Sequence, residues 1–145
     1  MYGELVQIFS ILLLLSAPML VHAQATRSEQ DALALAIKSQ QILNEYSVGA
    51  VEPEAMKYAQ RLKLTKAALD GQRRQWPTVA GGSPDPSDNF RACKNALEQA
   101  SVVAGFSGMK ATRTLDDQVF HAEKGKLQKL RSACDEAIKR GGLQR

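Results

Sequence analysis

Residues 89–104, NFRACKNALEQASVVA, and 120–140, FHAEKGKLQKLRSACDEAIKR, decide how this chain folds. In the first, Phe90, Cys93, Leu97, Ala100 and Ala104 recur every three or four residues, the spacing that lines up one face of an α-helix. In the second, Phe120, Leu127, Leu130, Cys134 and Ala137/Ile138 do the same. The spacing predicts helices over about 88–105 and 115–140. Between them GFSGMKATRT, 105–114, reads as a turn centred near residue 113.

That hairpin brings the two cysteines of the chain to one level. Cys93 lies 20 residues before the turn centre and Cys134 lies 21 after it, so an antiparallel pair of helices sets them side by side. Both also fall on the apolar stripes that must face each other. Level and facing are separate readings, and together they predict a Cys93–Cys134 disulfide. The bridge is structural, since no C-x-x-C redox spacing is present.

Upstream, two more helices carry the same pattern. Over about 27–47 the stripe is Ala32, Leu35, Ala36, Ser39, Ile42, Leu43 and Tyr46. Over about 52–75 it is Tyr58, Leu62, Thr65 and Leu69. Pro53 suits a first helical turn, with Glu52 and Glu54 at the positive end of the helix dipole. Arg73 and Arg74 lie in the last turn and Pro77 just beyond. Residues 77–87, PTVAGGSPDPS, hold three prolines and two glycines and read as an exposed connection. Ser87 or Asp88 is the expected N-cap of the third helix, and Thr114 of the fourth, with Asp117 completing a near capping box. Gly141-Gly142 is the expected end of the fourth.

Alternating strand patterns are absent. The expected fold class is all-α, an antiparallel four-helix bundle built from two helical hairpins, 27–75 and 88–140, joined by the linker 77–87. Two hairpins packed as in a short helical repeat is the alternative arrangement.

The N-terminus reads differently. Ile8 to Val21, IFSILLLLSAPMLV, carries no charge over 14 residues, too few for a bilayer span of roughly 20. It has the length of a signal-peptide apolar region, and Val21 and Ala23 suit a cleavage site after Ala23. Cleavage after Ala25 fits almost as well. The leading MYGELVQ departs from the usual pattern, because it has no Lys or Arg. The expectation is a signal peptide over 1–23 and a single helical domain over 24–145, in the periplasm or secreted. An oxidising compartment agrees with an even cysteine count.

Loss of Glu4 with that segment raises the formal net charge from +4 to +5. The charge is uneven: segment 27–54 is net −3, 57–74 net +5 and 110–145 net +4. Basic surfaces suit an acidic partner or an anionic membrane surface. Nucleic acid is disfavoured by export, and no aromatic residues interleave with the basic ones.

No catalytic motif emerges. The pairs Glu52/Glu54, Asp116/Asp117 and Asp135/Glu136 sit near helix ends, and adjacent helical residues diverge by about 100°. Gly105-Phe106-Ser107-Gly108 lacks the G-x-S-x-G spacing and a preceding strand. One His, His121, remains after processing, too few for a zinc site. With Met56 or Met109 at the same end of a bundle it makes a haem site the alternative function, although Phe120 and not His121 holds the inward position. Trp76, beside Arg73 and Arg74, is the candidate partner-binding cluster, since Trp and Arg are enriched in hot spots. A core cap is the other reading of Trp76. The expectation is therefore a non-enzymatic protein-binding module, such as an inhibitor, immunity protein, chaperone or envelope-complex subunit, needing no cofactor and binding another envelope or exported protein.

Overall fold

The computed structural model describes residues 17–50, 54–78 and 85–143, with side chains from residue 28 onward except that of Ala55. Four α-helices, α1 (Ala17–Glu45), α2 (Ala55–Arg73), α3 (Arg91–Ala111) and α4 (Asp117–Leu143), account for most of them, and a 3-10 turn, Asp88–Phe90, leads into α3. There is no strand among the described residues, so the chain is all-helical.

The stripes become the core. Buried residues from all four helices form one cluster, with Ala36, Leu69, Cys93, Leu97, Ala100 and Val103 shut off from solvent altogether. Each fully buried leucine contributes roughly 2 kcal/mol by removal of apolar surface from water. Helix α3 is the centre of the assembly. It packs against each of the other three, most extensively against α4, while no Cα atoms of α2 and α4 come within 8 Å of each other among the described residues.

The pairings of α4 run antiparallel. Cys93 and Cys134 are bridged, with Cα atoms 4.6 Å apart, and the Lys110–Asp117 ion pair closes the same hairpin near its turn. Between them Gln99 Nε2 donates to Glu123 Oε2 at 2.7 Å. Against α1, Gln40 Nε2 donates to Asp135 Oδ1 at 2.7 Å and Arg131 Nη2 to Asn44 Oδ1 at 2.6 Å. Contacts that ascend along α1 thus descend along α4.

Several boundaries differ from the sequence reading. Helix α3 does not stop at Gly105 but continues to Ala111. Ala104 and Ser107 are buried against its neighbours, and Gly108 lies where α2 comes close: a Cβ there would sit 3.2 Å from Leu62 Cδ2. The hairpin turn is therefore 112–116. Thr112 N–H bonds Gly108 O, Arg113 N–H bonds Lys110 O and Thr114 N–H bonds Met109 O. The last two form a Schellman closure in which Arg113, at φ 58°, takes the left-handed position usually given to Gly.

The cap of α4 is Asp116 rather than Thr114, its Oδ1 accepting from Gln118 N–H at 2.6 Å. Ser87 does not cap α3 either. Its own N–H and hydroxyl both donate to Asp85 Oδ1, at 2.8 and 2.6 Å, which holds the Asp85 carboxyl below its ordinary range.

Gly141 is inside α4, not past its end. A Cβ at Gly141 would lie 2.7 Å from Phe90 Cζ, so the missing side chain makes room for that ring. Gly125, by contrast, is exposed and a Cβ there would meet nothing within 4 Å.

The expected signal peptide falls mostly outside the described residues. From Ala17 the backbone is helical and is the first part of α1. Pro53 and residues 79–84 of the 77–87 connection also lie outside them. Among the described residues no helix is long and apolar enough to cross a membrane.

Candidate functional site

Arg73, Arg74 and Trp76 do not share one surface. Trp76 is only 4% exposed. The chain turns back after α2, with Trp76 N–H bonded to Arg73 O, and the indole drops against α1. There Trp76 Nε1–H donates to Ser39 Oγ at 3.2 Å. Gln72 Nε2 donates to the same oxygen at 3.3 Å and to Leu35 O at 3.3 Å, and the Ser39 hydroxyl donates to Leu35 O at 2.7 Å. Ser39, Gln72 and Trp76 are all buried. A buried indole N–H needs an acceptor, and Ser39 supplies it. Trp76 is thus a core cap that ties α2 to α1, and the sequence expectation of a surface hot spot is corrected.

The two arginines remain outside. Arg73 reaches Asp70 at 3.6 Å, and Arg74 Nε–H donates to Asp70 O at 3.3 Å. They end a basic outer face of α2 that also carries Lys57, Lys63 and Lys66, all exposed. Lys57 pairs with Glu54 at 2.9 Å. Lys63 and Lys66 have no ion-pair partner among the described residues. Two large apolar side chains stand among these cations: Met56 is 84% and Leu64 63% exposed. The sequence reading missed Leu64, because a lone leucine off the stripe carries no signal until the packing shows which side of α2 is free.

A second feature was not legible at all. Where α1 turns into α2, residues 46–50 fold over α2 and the end of α3 and leave an open cleft of about 260 Å³, solvent included. Tyr58, Arg61 and Thr65 of α2 and Ser107 of α3 line it. The turn has Ser47 at φ 36° and Gly49 at φ 89°, and a Cβ on Gly49 would press Val103 Cγ1 at 3.1 Å. Tyr58 is buried, its phenol oxygen enclosed beside the Ser107 hydroxyl. The Ser107 hydroxyl donates to Val103 O at 2.8 Å and keeps its oxygen able to accept from the phenol. Burial pushes the Tyr58 phenol above its ordinary value, with Ser107 and Arg61 drawing it partly back.

The remaining candidates do not assemble. His121, Met56 and Met109 are all solvent-exposed, so none of the three is enclosed as a haem ligand would be. Phe120 is the buried neighbour, with the His121 ring tilted beside it at 6.3 Å between centroids and Lys124 Nζ over its face at 5.5 Å. Ser107 sits mid-helix with a buried hydroxyl, not on an elbow. No group of three or more His, Cys, Asp or Glu side chains is placed to hold a metal ion among the described residues. Cys93 and Cys134 are joined to each other.

No protein-family model matches the chain, and no curated protein or solved structure matches it.

Proposed function

We propose that this chain is a non-enzymatic, exported binding module that docks on an acidic surface of another envelope or exported protein. Its helices pair as an antiparallel four-helix bundle, and the outer face of α2 is the docking face. One observation carries the reading. Five exposed cations, Lys57, Lys63, Lys66, Arg73 and Arg74, lie along this stretch together with the protruding Leu64 and Met56, and Glu54 and Asp70 are its only carboxylates among the described residues. Exposed apolar side chains within a charged rim are the make-up of an interface patch. The signal-like N-terminus and the disulfide support export. An inhibitor, immunity protein, chaperone or accessory subunit would each use such a face.

A photo-crosslinking residue at position 64, introduced into the full chain in its producing cell, tests this. A discrete adduct is expected from position 64, lost on Lys63→Glu/Lys66→Glu while the melting curve is unchanged. The same adducts from a control residue at exposed Lys129 of α4, or none from position 64, would refute it. The haem alternative makes a different demand, a Soret band that appears when haem is added to the purified protein.

A further inference from the structure

Helix α3 has neighbours on three sides, and its fourth side is open and apolar toward its C-terminal end. Val102, Phe106 and Met109 follow one another there at spacings of four and three, which is one face of a helix. Val102 is 42% and Met109 43% exposed, and Phe106 is half-buried. Val119 of α4, 43% exposed, joins them. It lies one turn before Glu123, which accepts from Gln99 of α3, so it flanks the same side of the hairpin. Contiguous exposed apolar side chains mark an interaction surface.

Three observations make a second copy of this chain the occupant. First, the face carries opposite charges at its two ends, Glu98 at one and Arg113 at the other. Both are exposed, and neither side chain has an ion-pair partner among the described residues. Second, the pattern is its own complement when reversed. Positions 98 and 113 are centred midway between Gly105 and Phe106, and so are positions 102 and 109. Two copies of α3 laid antiparallel about that point set Glu98 level with Arg113 of the second copy and Val102 level with its Met109, each pair twice by symmetry. A twofold dimer requires such self-complementarity. Third, Gly105 lies at the centre. Glycine weakens a helix interior, and a Cβ there would meet nothing within 4 Å, so the monomer gains nothing from its absence. A second helix does, because the bare backbone lets it approach closely.

We propose that the protein forms a twofold dimer through the outer face of α3, with the two helices antiparallel and crossing at Gly105 and Phe106. The face is about three helical turns long, which is small for an interface, so the dimer is reversible. It uses a different helix from the α2 docking face and stands or falls independently of it.

Sedimentation equilibrium of the oxidised protein, in the form its producing cell makes, tests this over about 1–500 μM. The mass should rise with concentration from that of the monomer toward twice that value. Gly105→Gln, which adds bulk where the monomer has space, should weaken the dimer roughly tenfold and leave the melting curve of the dilute protein unchanged or raised. Glu98→Arg and Arg113→Glu should each weaken it roughly fivefold, since each breaks two symmetric pairs. The double variant Glu98→Arg/Arg113→Glu restores both pairs with the charges exchanged and should dimerise nearly as well as the parent. A monomer at every concentration would mean that something other than a second copy covers the face, and it overturns the proposal. So does a dimer indifferent to Gly105→Gln, or a double variant no better than the two single ones.

Discussion

Replacing Ser39 by Ala removes a single oxygen and tests how α1 is held. That oxygen accepts from Trp76 Nε1 and from Gln72 Nε2 in a region closed to water. Gln72 keeps a second acceptor in Leu35 O, so its loss is small. The indole N–H keeps none, and orphaning a buried donor costs about 1–3 kcal/mol. Alanine recovers roughly 0.5 kcal/mol through its better helix propensity, leaving a net loss of about 0.5–2.5 kcal/mol. At about 4 °C per kcal/mol for a domain of this size, the melting temperature should fall by about 2–10 °C. Urea unfolding followed by circular dichroism gives the free energy. Because Trp76 is the single tryptophan of the chain, its emission reports this contact directly. A double-mutant cycle with Trp76→Phe should yield a coupling of about 1 kcal/mol. If Ser39→Ala costs less than about 0.5 kcal/mol and the cycle is additive, the hub does not hold α1, and Trp76 is not capped as described.

Three further outcomes follow from particular residues. The double variant Cys93→Ala/Cys134→Ala should lose about 4 kcal/mol, the chain-entropy value for a loop of 41 residues, seen as the gap between its urea midpoint and that of the oxidised parent. Gly125→Ala, where a Cβ meets open space, should raise stability by up to about 1 kcal/mol, whereas Gly141→Ala should lower it by about 1–3 kcal/mol, because the new methyl displaces the Phe90 ring; differential scanning calorimetry of the two variants settles the contrast. Burial holds the folded-state pKa of Tyr58 above the unfolded value near 10.0, so its contribution is fully present below pH 10.0 and is lost as pH rises through the folded value; the stability of the parent relative to Tyr58→Phe should be level up to about pH 9 and fall in the alkaline range, and a difference that stays level to pH 12 removes the burial argument.

The sequence was most informative where one face of a helix had to be apolar. The stripes of α3 and α4 carried both the core and the bridge, because a 3.6-residue period and a length count constrain each other. It was least informative where the decision lay with a distant segment. Gly105 and Gly108 look like turn residues locally, but the packing of α2 against α3 keeps them helical. Trp76 reads equally as a surface anchor or a core cap until its acceptor, Ser39, is found 37 residues earlier. The Tyr58 cleft depends on the backbone of 46–50, whose left-handed Ser47 no residue pattern announces. The exposed side of α2 was visible as charge, and Leu64 as part of it only once the inward side was known.

The bridge between Cys93 and Cys134 also changes the distances that the rest of the chain must cover to fold. Gln40 and Asp135, which bond across α1 and α4, are 95 residues apart along the backbone. By way of the two sulfur atoms the route between them is only about 55 links, which lowers the entropy of closing that loop by ~0.5 kcal/mol. The oxidised chain therefore has an effective topology more local than its linear sequence implies, and locality is what sets folding speed in small proteins. A chain whose thiols pair before α1 docks should reach its final arrangement faster than the same chain kept reduced, so formation of the bridge would act as a folding accelerant as well as a source of stability.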